Sequence, residues 1–162
     1  MASSPDRMKK RLARSAARLA AVQALYQMEV TGTDWQTVRL EFESHRLGAD
    51  IEGLRYHEAD IDHFRKVLAG VVADQVRIDR MTDKALVAKW PLGRIDATLR
   101  ALFRAAGFEL TGCADIPARV VIGEYVDVAK AFFEEGREAK FVNAVLDHMA
   151  RAARPGEMAP RE

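Results

Sequence analysis

Apolar residues recur at spacings of three and four along almost the whole chain, and almost no segment alternates with period two. The first spacing lines side chains up on one face of an α-helix, whereas alternation is what a half-buried strand requires. The sequence therefore reads as all-α. Its 162 residues, 49% hydrophobic and 30% charged, are enough for one compact domain and short for two. Glycine and proline fall mainly between the periodic stretches, which predicts a single-domain bundle of six or seven helices over residues 8–154. Residues 1–7 read as a disordered basic arm and 155–162 as a disordered tail, since neither carries an apolar face.

Local signals place the elements. A first helix from about Met8 to Val30 stops at Thr31-Gly32, a glycine C-terminal signal. A second starts at Thr33, with Gln36 at capping-box spacing, and buries Trp35, Val38 and Phe42. The stretch Leu47 to His57, carrying Gly48 and Gly53, reads as a loop. Ile61, Phe64, Leu68, Val71, Val72 and Ile78 mark a helix from about Glu58 to Met81, and Asp83 to Trp90 a short one before the break at Pro91-Leu92-Gly93. Ile95, Leu99, Leu102, Phe103, Ala106 and Leu110 line the next helix, and Thr111 to Asp115 form a turn. Pro117 opens a helix with Val121, Tyr125, Val128 and Phe132 on its apolar side. After a polar turn around Gly136, Phe141, Val142, Val145, Leu146 and Met149 carry a last helix to about Arg154.

Charge is segregated along this pattern. Residues 1–18 hold six Lys or Arg against Asp6, a net of +5, in a chain whose net charge is +1. On a helix Arg7, Arg11, Arg14 and Arg18 fall at i, i+4, i+7 and i+11, within a sector about 60° wide. Leu12, Ala16, Leu19 and Gln23 lie a quarter-turn round, where they can face a core. A cationic stripe on an ordered helix points to nucleic acid or an acidic surface; the alternative is a solvated basic arm. A membrane-surface role fits poorly, because the apolar side is mostly alanine (Ala13, Ala16, Ala17, Ala20) and would bury little area in a bilayer.

The chain offers little for catalysis. Cys113 is the only cysteine, so no intrachain disulfide forms, and no Cys or His stands nearby at metal-ligand spacing. His45, His57, His63 and His148 are scattered, no nucleophile elbow occurs, and no Gly-rich loop follows a strand. No stretch approaches the roughly 20 apolar residues of a membrane span, and Arg14 and Arg18 interrupt any signal-peptide run. The expectation is a cytoplasmic binding protein with no catalytic residue, metal or cofactor.

Three blocks sharpen that reading: Ala17-Arg18-Leu19-Ala20-Ala21-Val22-Gln23-Ala24-Leu25-Tyr26-Gln27, then Ile116-Pro117-Ala118-Arg119-Val120-Val121-Ile122-Gly123-Glu124-Tyr125-Val126-Asp127-Val128-Ala129-Lys130, then Lys140-Phe141-Val142-Asn143-Ala144-Val145-Leu146-Asp147. In this order they resemble the NusB family of bacterial transcription antitermination factors. Trp90-Pro91-Leu92-Gly93-Arg94-Ile95 and the run from Arg100 to Leu110 extend the likeness to most of the chain between Arg14 and Ala150. The resemblance implies an all-helical protein that binds single-stranded boxA RNA of ribosomal-RNA leader transcripts together with the ribosomal protein NusE, within an antitermination complex on RNA polymerase.

The same resemblance implies site residues. Arg14 and Arg18 match basic positions of the family's RNA-binding motif, where guanidinium groups fork onto phosphates or lie over bases; Arg11 continues the stripe as electrostatic capture. Tyr26 is implied as an RNA contact, its bland alternative being a half-buried core tyrosine. Lys140 would bring phosphate charge, Phe141 a stacking face and Asn143 an amide near a helix N-terminus. The protein partner is expected on Trp90, Arg94, Leu99 and Arg100. Departures from the family pattern are Ser15 in place of a second arginine, Gly123 in place of an asparagine, Ala144 in place of a glycine, Leu99 at an often acidic position, and a turn over 132–140 about one residue longer. Two other readings remain open: a helical adaptor that binds only protein, and an RNA-recognition domain of the kind attached to ribosomal-RNA cytosine methyltransferases. The same apolar faces also leave a homodimer open.

Overall fold

Helical periodicity becomes six helices among the described residues of the computed structural model, which are 3–45, 50–51, 54–55, 59–86, 95–133 and 136–158. They are α1 (Ser4–Thr31), α2 (Trp35–His45), α3 (Ile61–Ala85), α4 (Ala97–Gly112), α5 (Ala118–Phe132) and α6 (Arg137–Ala153). Two strands of two residues, β1 (Asp50–Ile51) and β2 (Leu54–Arg55), pair antiparallel with Asp50 opposite Arg55, inside the stretch expected to be a loop. The all-α expectation holds with this small addition. The chain divides into two compact units, Met1–Ala69 and Gly70–Glu162, with the boundary inside α3.

In the first unit α1 begins four residues before its expected start. Ser3 caps it by accepting from the Asp6 N–H at 3.3 Å while its hydroxyl donates to the Asp6 carboxylate at 2.7 Å, and Pro5 suits the first turn. Residues 4–7, expected to be disordered, are therefore helical. At the other end Gly32 takes the left-handed conformation (φ 72°) and its N–H reaches the Met28 carbonyl at 2.9 Å, a glycine cap at the predicted place.

The second helix is capped by Asp34 rather than Thr33. Asp34 accepts from the backbone N–H and the hydroxyl of Thr37, whereas the Thr33 hydroxyl pairs with that of Thr31. α1 packs on α2, and Gln27 donates to Glu41 at 3.0 Å on the rim. Val38 and Phe42 are buried as expected, with the Phe42 ring 5.9 Å from that of Phe64, while Trp35 is half-buried.

In the second unit α4, α5 and α6 pack on one another. Leu102, Phe103, Ala106, Val121, Tyr125, Val142, Leu146 and Met149 are sealed from solvent. The Tyr125 hydroxyl donates to the carboxylate of Glu109, and both residues are fully buried. α3 continues to Ala85 with a break in its helical geometry at Asp74 (φ −124°, ψ 18°), so no separate helix starts at Asp83; the remainder of that expected helix lies outside the described residues. A Cβ on Gly107 would lie 2.6 Å from the Ile78 Cγ2, so glycine is what lets α4 approach α3 there. The start of the expected disordered tail is ordered. The Glu157 and Met158 N–H groups both reach the Arg154 carbonyl at 3.1 Å, and Met158 is buried.

Candidate nucleic-acid interface

The arginine stripe of α1 runs along a face whose surroundings change down the helix. Residues 3–12 are all exposed, which leaves Arg7 and Arg11 in solvent. Arg14 is partly covered: its Nε lies 3.5 Å from the Asp60 carboxylate, and the Asp60 N–H donates to the Ala13 carbonyl at 2.9 Å. Arg18 is 2% exposed, and the same face continues through the buried Ala21 and Leu25. The core side of α1 is thus the stripe's own face, not the one carrying Leu12, Ala16, Leu19 and Gln23, of which Leu12 is exposed and the other three are half-buried. Where the helix is free this face is cationic, and where it is packed the face is apolar, with Arg18 at the changeover. An exposed, phosphate-binding Arg18 is therefore corrected to a buried one. Tyr26 is 40% exposed rather than half-buried core.

In the second unit the candidate residues share α6. Lys140 and Asn143 are exposed, and neither side chain has a hydrogen-bond or ion-pair partner among the described residues. Phe141 is half-buried, its ring edge-on to Phe103 with centroids 6.0 Å apart and planes at 71°. Only part of the ring is therefore left for the stacking face the resemblance implies, the rest packing on Phe103.

Of the residues expected to meet a protein partner, Leu99 is buried in the core, which corrects its assignment to a surface. The Arg100 guanidinium donates to the Ile95 carbonyl at 3.0 Å. Trp90 and Arg94 lie outside the described residues.

One feature of this surface was not anticipated. Arg119, Ile122 and Gly123 from α5, with Asn143, Asp147 and Arg151 from α6 and Met158 from the following turn, line a groove of about 500 Å³. Arg151 is fixed along its wall by the Asp147 carboxylate at 2.9 Å and the Met158 carbonyl at 2.8 Å. The sequence signal was present. Asn143, Asp147 and Arg151 repeat at four-residue spacing on one face of α6, and Arg119 precedes Gly123 by the same interval on α5.

Residues 15–151 match the NusB family. The chain is 57% identical over 151 residues to the transcription antitermination protein NusB of Nitrobacter hamburgensis, covering 93% of this chain and 94% of that one. It is 54% identical over 153 residues to that of Rhodopseudomonas palustris, covering 94% and 90%. Among solved structures it superposes on T. maritima NusB with a TM-score of 0.69 at 29% identity, covering 92% of this chain and 95% of that one. A structure of the antitermination factors NusB and NusE in complex with dsRNA shares the fold, with a TM-score of 0.69 at 22% identity over 85% of this chain and 96% of that one. With most of its length matched and more than half of its residues identical to these relatives, the chain belongs to the NusB family.

Proposed function

We propose that the chain is a cytoplasmic, non-enzymatic transcription antitermination factor that binds boxA-type single-stranded RNA together with the ribosomal protein NusE. The observation that carries this reading is the free first part of α1. Arg7, Lys10 and Arg11 stand in solvent on an ordered helix, in a chain whose remaining residues are net acidic. Fixed cations on a rigid helix track a phosphate backbone at low ordering cost and release condensed counterions when they do so. Lys140 and Asn143 add a phosphate-seeking ammonium and an amide for base edges on α6, the mixture of charge and hydrogen bonding that unpaired bases require. Family membership supplies the biological setting, since the relatives are transcription antitermination proteins and one structural neighbour is assembled with NusE and RNA.

The test is a titration of boxA-type RNA with the chain alone and with NusE, repeated over a range of salt. Binding is expected to be weak alone, stronger with NusE, and to fall linearly in log affinity against log salt. A flat salt dependence, or no binding to RNA in the presence of NusE, would favour the adaptor that binds only protein.

A further inference from the structure

Gly123 lies in the interior of α5, where nothing in the fold requires glycine. Its backbone is not in the left-handed region, and a Cβ added there would meet no heavy atom within 4 Å. Glycine weakens a helix interior relative to alanine, so the position carries a cost with no return in packing. Gly123 lines the groove between α5 and α6, where its missing side chain leaves open space. We propose that this groove is a subsite for one unpaired nucleotide of the bound RNA, with the base lying against Ile122 and Met158 and its phosphate met by Arg119.

Ile122 and Met158, 8% and 7% exposed, supply a small apolar floor of the size of a base rather than the long apolar stripe that a docked helix needs. Asn143 lines the groove with an amide that has no partner among the described residues, a donor and an acceptor for a base edge. The exposed Arg119 has no hydrogen-bond or ion-pair partner among the described residues, so its guanidinium is available to fork onto a phosphate. Arg151, tied to Asp147 and the Met158 carbonyl, is a fixed wall and not a second free cation. The volume of about 500 Å³ is in the range of small-molecule sites and admits a nucleotide. Free cation, amide and short apolar floor complement a nucleotide better than a peptide.

This inference rests on the proposed RNA-binding function, and the experiment separates the two. A boxA-type RNA carrying a single abasic site is walked through every position and titrated, with NusE present, against the native chain, Gly123→Phe and Arg119→Gln. One abasic position is expected to lower native affinity about tenfold. Gly123→Phe, which fills the groove, should lower affinity for intact RNA by a similar factor and abolish the penalty at that abasic position, the non-additivity of two changes at one contact. Arg119→Gln should weaken binding severalfold, and thermal unfolding of both variants should match or exceed the native midpoint. Native binding of RNA with no loss in either variant overturns the subsite and leaves the function standing. No RNA binding by the native chain with NusE overturns the function itself. Weakened NusE affinity with RNA affinity intact in Gly123→Phe would assign the groove to protein and overturn the proposal.

Discussion

Arg154 and Glu157 are paired at 3.2 Å, and each closes the end of a different helix. The Arg154 guanidinium donates to the carbonyls of Leu110, Glu109 and Cys113 at 2.8–3.0 Å and to that of Ile116, acceptors at the C-terminus of α4 and in the turn after it, of which Glu109 and Cys113 also accept the backbone N–H groups of Cys113 and Ile116. Glu157 accepts at 2.6 Å from the N–H of Ala118, the first residue of α5, whose N-cap is Pro117 and has no side chain able to do so. A cation sits at the negative end of one helix dipole and an anion at the positive end of the next. One turn after α6 thereby joins α4 and α5.

Arg154→Ala should lower stability by about 2 kcal/mol or more, because it takes the guanidinium from the partly buried Leu110 and Ile116 carbonyls, at about 1–3 kcal/mol apiece before any relaxation, while the Glu109 and Cys113 carbonyls keep their backbone partners. Arg154→Lys should recover less than half, since an ammonium cannot reproduce the planar fork. Urea unfolding measures both. A cost under about 1 kcal/mol for the alanine variant would mean that water replaces the guanidinium without penalty.

Acid should weaken the fold through Glu157 and Glu43. The Ala118 N–H, then Arg154, holds the Glu157 carboxyl below its ordinary range, and the Arg65 guanidinium, hydrogen-bonded to Glu43, does the same there. A folded-state pKa below the unfolded value gives stability that is present above the ordinary glutamate range, about 4.3, and is lost as pH falls through the folded value. The urea midpoint of the native chain should therefore drop below about pH 4.5, and a Glu43→Gln/Glu157→Gln double variant should show a flatter acid limb. An equally steep limb in the double variant would remove these two carboxylates as its cause.

Periodicity was enough to find Leu102, Phe103, Leu110, Val142, Leu146 and Met149 in the core, because on α4 and α6 the buried face keeps one direction along the element. It failed on α1. A helical projection places Arg14, Arg18 and Leu25 in one sector but carries no information on where along its axis a helix stops being free and starts being packed. The ordered turn over Pro155–Met158 was invisible for a related reason: it is held by Arg154 and Glu157 reaching backbone groups distant in sequence. Lys140 and Asn143 stand in solvent, whereas the partner role of Leu99 rested on an apolar side chain that the core required.

Arg14 and Arg18 should separate cleanly when replaced. Arg14, with its side chain 43% exposed against Asp60, should cost under about 1 kcal/mol as Arg14→Ala while lowering RNA affinity and reducing the salt slope by about one. Arg18, buried at the end of the stripe, should cost about 2 kcal/mol or more as Arg18→Ala, through lost packing and the buried groups it leaves behind. Urea unfolding beside RNA titration reads both quantities, and equal stability losses would contradict the changeover at Arg18.

Phe141 should behave as a residue with two neighbours, one permanent and one brought by RNA. Its ring packs edge-on against Phe103 while part of it meets solvent, and Val142, Val145, Leu146 and Met149 already supply the buried side of α6. Phe141→Ala should thus cost about 1–2 kcal/mol of stability, below the roughly 3–5 kcal/mol of a fully buried phenylalanine, and should lower RNA affinity by the roughly 1–3 kcal/mol of one stacked base. Phe141→Leu separates the two roles, because an aliphatic side chain retains most of the packing on Phe103 but offers no face to a base. It should recover stability and leave RNA affinity impaired. Full recovery of RNA binding by leucine, or a stability loss above about 3 kcal/mol with affinity intact in Phe141→Ala, would make Phe141 a core residue and nothing more.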